Sequence, residues 1–208
     1  MSPPQEEGFA GRMAFLAGAV ALLLLLTPRM PNVWYRMTVF YAIAAPLAML
    51  GPRLGWKELL TPSVGKVAAG SAGAVVLYVL AGAGFRLIAA IAPRLAAEAA
   101  VLYGWKDQVA TPLAVLLAAF LIVPGEEIVW RGAVGLPLAG RFGPRAGVVL
   151  GAIAFAAAHV GFGSPLLLLA ALGCGLFWGW LTVATRSLVP SIVCHLLWDG
   201  TVLFWLPY

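Results

Sequence analysis

The sequence predicts an all-α, polytopic transmembrane helix bundle of about seven spans in a single domain, and three observations carry that reading. Of 208 residues, 62% are apolar and 10% charged, against roughly 45–50% and 25% in soluble domains. Apolar stretches near the ~20 residues that a bilayer crossing requires recur from Met13 to the C-terminus. Between them no gap exceeds about twenty residues, which leaves no room for a soluble domain.

In chain order the candidate spans are 9–27, 32–50, 66–92, 112–136, 146–161, 165–184 and 188–206. The first follows Arg12 and has the look of a signal-peptide core from Met13 to Leu26. Thr27-Pro28-Arg29-Met30 lacks a small-x-small cleavage pattern, so the segment reads as an uncleaved helix. After the second span, Gly51-Pro52-Arg53-Leu54-Gly55-Trp56-Lys57-Glu58 carries the Trp and basic residues of a headgroup region, as does Tyr103-Gly104-Trp105-Lys106 before the fourth. On the fifth, Gly147, Gly151, Ala154 and Ala158 recur at steps of three to four and suit close helix packing in lipid. The chain divides into N-terminal membrane helices over 1–110 and a second set of helices over 111–208.

The net charge is +5, but the thirteen Lys and Arg are scattered singly, without a basic stripe interleaved with aromatics, so no nucleic-acid partner is expected. The expected partner is the bilayer. Placing the N-terminus in the cytoplasm puts Arg12, Arg53, Lys57, Lys66, Arg141, Arg145 and Arg186 inside and Arg29, Arg94 and Lys106 outside, the bias that the positive-inside rule favours. Abundant Ala, Leu, Gly and Arg with little Lys suits a high-GC bacterium, hence a bacterial cytoplasmic membrane. Cys174 and Cys194 both lie in apolar segments, with no disulfide framework and no CxxC metal spacing.

The rare polar residues are the informative ones. Of eight acids and two histidines, Glu126, Glu127, Asp199, His159 and His195 all fall inside predicted spans. An ionisable group at the bilayer centre costs ~2.5–3.5 kcal/mol on the insertion scale and ordinarily faces a bundle interior or a cavity. Glu127 and Arg131 are four apart on one helical face and can pair, while Glu126 points about 100° away and is left as a candidate general base. Phe155 and His159 share a face, as do His195 and Asp199. At ~1.5 Å per residue, Glu126 lies ~15 Å, His159 ~20 Å and His195 ~10 Å from the same membrane face, so three helices can bring them together in one cavity. The plainer reading of each histidine is interhelical hydrogen bonding, of Glu127 with Arg131 a structural pair, and of the tryptophans, Trp130 and Trp178 among them, packing or interfacial anchoring.

Glu126-Glu127-x-x-x-Arg131, Phe155-x-x-x-His159 and His195-x-x-x-Asp199 together resemble, in order and spacing, the three motifs of the CPBP family, the CAAX-protease and bacteriocin-processing intramembrane peptidases. The matching region runs from about Thr111 to Gly200. The resemblance implies a helical membrane protease in which Glu126 activates water, His159 assists, and His195 with Asp199 helps to stabilise the oxyanion. The last motif position is often Asn in prenyl-protein endopeptidases. An ionised Asp cannot donate to an oxyanion, so Asp199 is expected to orient His195 instead. The implied substrates are prenylated C-termini, peptide precursors or membrane-anchored sorting tails.

Two His and one Glu also make a zinc set, with Glu126, His159 and His195 as ligands. That use would leave the base to Glu127, already given to Arg131, and no HExxH pair occurs, so a metal-free, glutamate-type reaction is expected with zinc as the alternative. Outside catalysis, buried Glu, His and Arg also build proton-coupled transporters, although no duplicated halves are visible here. An immunity-type or scaffold membrane protein would keep the fold without turnover.

Overall fold

The computed structural model describes residues 3–26, 29–50 and 54–208, with side chains from residue 10 on; Thr27, Pro28 and the stretch 51–53, with Arg53, lie outside the described residues. The elements in order are α1 (Pro3–Leu26), α2 (Val33–Leu50), α3 (Trp56–Leu60), α4 (Val64–Ile91), α5 (Pro93–Ala96), α6 (Ala99–Gly104), α7 (Thr111–Phe142), α8 (Pro144–Ala158), α9 (Pro165–Thr185) and α10 (Val189–Trp205). Helices appear at all seven apolar stretches. Among the described residues, five are long and apolar enough to cross a membrane, and the apolar parts of the first and last, Ala10–Leu26 and Val189–Trp205, are shorter. The protein is a polytopic helical bundle, and α7 continues six residues past the expected end at 136 to Phe142.

The helix starts follow from local chemistry. Pro93, Pro144, Pro165 and Pro190 occupy first-turn positions, where the missing N–H costs nothing, and the Ser164 hydroxyl caps α9 by accepting from Leu167 N–H at 3.2 Å. Gly143, at φ 88°, reverses the chain between α7 and α8. The reversal lays α8 directly on α7: a Cβ on Gly147 would sit 2.2 Å from Ala139 Cα, and one on Gly151 would sit 3.3 Å from Gly135 Cα. Only glycine permits that approach.

Among the described residues, three segments wind as π-helix: Ala118–Ile122, Glu127–Gly135 and Thr201–Trp205. Each ends two residues before a proline, Pro124, Pro137 and Pro207. A proline ring clashes with the carbonyl four residues back. Widening the preceding turn to i→i+5, as Val123 N–H to Ala118 O and Leu136 N–H to Arg131 O do, relieves the clash without ending the helix.

The short elements brace the bundle at its two faces. Leu59 O, at the end of α3, accepts from Leu188 N–H at 3.0 Å and from Ser187 Oγ at 2.9 Å, tying this stretch to the α9–α10 turn. At the start of α2, Trp34 Nε1–H donates to Trp105 O at 2.8 Å and Val33 N–H to Gln108 Oε1 at 2.7 Å. Arginines inside spans are accommodated one by one. Arg12 donates to Ala48 O at 2.9 Å, Arg36 lies 4.1 Å over the Phe162 ring, and Arg86 donates to Gly82 O at 3.2 Å.

Candidate active site

The three motifs meet inside the bundle. Glu126 and Glu127 sit where an α-helical turn of α7 passes into its second π segment, His159 ends α8, and His195 and Asp199 lie one turn apart on α10. His195 is the hub. Its Nδ1 is 2.9 Å from Glu127 Oε1, and its Nε2 is 3.5 Å from Glu126 Oε2 and 3.4 Å from Asp199 Oδ2. Every N–H the ring can carry therefore faces a carboxylate, and each is an acceptor when ionised.

The spacing of Glu126 and Glu127 does not by itself show that they share a partner. The imidazole enters from α10 between them, so neighbouring carboxylates reach its opposite nitrogens. Glu127 also keeps its pairing with Arg131, at 3.5 Å, and is wholly buried. The Arg131 guanidinium is covered by rings, 4.1 Å from the centroid of Phe155 and 5.0 Å from that of Trp178. Trp178 in turn stacks on His195, with centroids 3.6 Å apart and planes 20° from parallel. Phe155, Arg131, Trp178 and His195 form one continuous stack.

His159 stands apart from the carboxylates. Its Nδ1 is 2.8 Å from Phe155 O, and since a carbonyl can only accept, Nδ1 carries the proton and Nε2 is left to accept. Phe155 packs edge-on at 4.6 Å and Phe162 stacks at 5.5 Å to hold the ring.

Glu126, His159, His195 and Asp199 all line a cavity of about 550 Å³ whose other walls are chiefly apolar, including Leu77, Leu80, Phe85 and Phe177. Asp199 is the most open of the clustered acids, its side chain 27% exposed against 7% for Glu126. Tyr208 closes part of the wall: its hydroxyl donates to Tyr78 O at 2.9 Å and accepts from Trp198 Nε1–H at 3.1 Å, and burial pushes its phenol up to about 12. Cys174 and Cys194 are free and buried.

Zinc finds a poor fit here. Among the described residues, no three His, Cys, Asp or Glu side chains are gathered closely enough to hold a metal ion, and His159 lies outside the cluster that Glu126 makes with His195.

Two aromatic contacts escape sequence reasoning. Trp178 reads as packing but stacks on the central histidine, and Tyr41, in an N-terminal span without a motif, accepts from Trp130 Nε1–H at 2.9 Å beside Glu126. An aromatic residue within an apolar span carries no local sign of such a partner.

Comparison with known proteins agrees with the motifs. No curated protein and no solved structure matches the chain, whereas residues 108–201 match the family model described as Rce1-like, type II CAAX prenyl endopeptidase. That segment spans α7 to α10 and contains every residue of the three motifs. The matched domain, residues 108–201, belongs to the CPBP family.

Proposed function

We propose that this protein hydrolyses a peptide bond near the C-terminus or in a membrane-proximal segment of a lipidated or membrane-anchored protein or peptide. Glu126 is the general base. The observation that supports this most is the Glu126 carboxylate, the more buried of the two at the wall of an apolar cavity, with an imidazole 3.5 Å away.

The reaction uses the cluster as follows. Glu126 takes a proton from water as the oxygen attacks the scissile carbonyl carbon, and His159 Nε2 accepts a hydrogen bond from the water's remaining O–H and aims it. The developing oxyanion needs a donor, and His195 Nε2–H, lying between Glu126 and Asp199, supplies it. Glu127 holds the ring from Nδ1, with Arg131 and Trp178 behind it. Asp199 helps to orient Nε2. Collapse of the tetrahedral intermediate breaks the C–N bond, and the proton on Glu126 passes to the leaving amine.

The family description supports a prenylated C-terminus as first substrate, and the apolar cavity has room for part of a lipid chain. The test is to incubate purified protein in vesicles with a peptide bearing a farnesylated cysteine near its C-terminus and to identify fragments by mass spectrometry. A single cut beside the lipidated cysteine, slower on the unlipidated peptide, is the expected result. Equal cutting of both would remove lipid from the substrate definition, and no cutting of any membrane-anchored peptide would contradict the protease reading. The proposed orientation, N-terminus cytoplasmic in a bacterial membrane, predicts that a reporter fused near Arg141 stays cytoplasmic.

A further inference from the structure

Tyr41 belongs to α2, outside the segment that carries the motifs, and its side chain is fully buried. Its phenolic oxygen already accepts the Trp130 indole N–H at 2.9 Å. The phenol's own proton still needs an acceptor, since a buried hydroxyl without one is costly. The carboxylate it faces is that of Glu126.

The packing permits little else. A Cβ on Gly125, next to Glu126, would sit 2.6 Å from Tyr41 Cβ and 2.9 Å from its Cγ, so α2 and α7 touch backbone to side chain at this level. Phe40 closes on the ring from one side, with centroids 4.7 Å apart and planes at 73°. The ring cannot swing away without separating two helices.

We propose that Tyr41 is a positioning residue for Glu126: its O–H, aligned by the Trp130 indole, donates to the carboxylate and fixes the orientation in which Glu126 meets water. The role rests on the reading of Glu126 as general base. A hydrogen bond to a charged acceptor is among the stronger ones, and the indole donating into the phenol polarises the O–H further. The carboxylate torsion is otherwise soft, and small misplacements of a reacting group are expensive in rate. The N-terminal helices thereby form part of the catalytic unit.

Tyr41→Phe keeps the ring and removes only the hydroxyl. On the farnesylated peptide it lowers kcat by about 10- to 100-fold and leaves KM within about twofold. Trp130→Phe, which leaves the phenol in place but unaligned, lowers kcat by a smaller factor. A second readout needs no turnover: Tyr41→Phe lowers the Tm of the wild type by more than that of Glu126→Ala, where only the bond from Trp130 is left to lose. Wild-type kcat in Tyr41→Phe, or Tm shifts that simply add, would overturn the proposal. If the wild type itself cleaves nothing, the protease reading falls and the role of Tyr41 falls with it. If the wild type cleaves and Tyr41→Phe cleaves equally well, only the role of Tyr41 falls.

Discussion

Helices α4 and α7 are both long and strongly apolar, yet they occupy opposite environments. In α4, 17% of the apolar window is buried, and Val75, Val76, Val79 and Leu87 face outward; in α7, 44% is buried, around Val129, Trp130 and Val134. Hydropathy identifies a crossing segment and is silent about what it faces. What separates the two is where the charges lie: α4 has no acidic residue and neither Lys66 nor Arg86 is buried, whereas α7 carries Glu126, Glu127 and Arg131, all buried. In lipid, ionisable groups mark the inward face.

The largest expected difference comes from breaking the charge pair on the inner helix. Arg131→Ala leaves Glu127 buried without its cation and should cost about 3–5 kcal/mol, whereas Val76→Ala on the outward face of α4 should stay within about 0.5 kcal/mol. Thermal unfolding in one detergent compares them. Equal losses would mean that α4 is as buried as α7.

Glycines sharpen the same contrast. Gly147→Ala drives a methyl into the Ala139 backbone and should destabilise by about 1–3 kcal/mol. Gly84→Ala on α4, with nothing within 4 Å of the added carbon, should be neutral or stabilising by up to about 1 kcal/mol. The order of the two Tm values is the test.

A smaller effect probes the histidine hub. Glu127→Gln keeps the shape of the His195 contact and removes its charge, so cleavage should fall about tenfold while the fold survives. Unchanged kinetics would assign Glu127 to Arg131 alone.

The smallest expected effect lies at the cavity rim. The neutral Tyr208 phenol supports the tail fully below its ordinary value of 10.0, and that support is lost as pH rises through about 12. Subtracting the tyrosinate absorbance titration of Tyr208→Phe from that of the wild type should isolate this late step. A difference curve centred near 10.0 would mean that the phenol is not held.

The positions of the helices and the motif spacings are legible in the sequence because bilayer thickness and helical periodicity are local rules. The π segments are not marked by composition, although Pro124 and Pro137 inside an otherwise helical run are the signal that could have found them. The second partner of Glu127 is 68 residues away in sequence, so its i,i+4 spacing to Arg131 exposes only half of its contacts. Trp178 and Tyr41 are silent for a related reason: an aromatic that buries well in any span shows its polar contact only when the helices are assembled.

The most direct measurement of the central claim is cleavage of the farnesylated peptide by Glu126→Gln beside the wild type, each with and without a zinc chelator. The substitution is expected to lower the rate by about 10²–10⁴-fold and the chelator to leave the wild type unchanged. Wild-type cleavage by Glu126→Gln would contradict the assignment of the base, and chelator-sensitive cleavage restored by zinc would contradict the metal-free reaction.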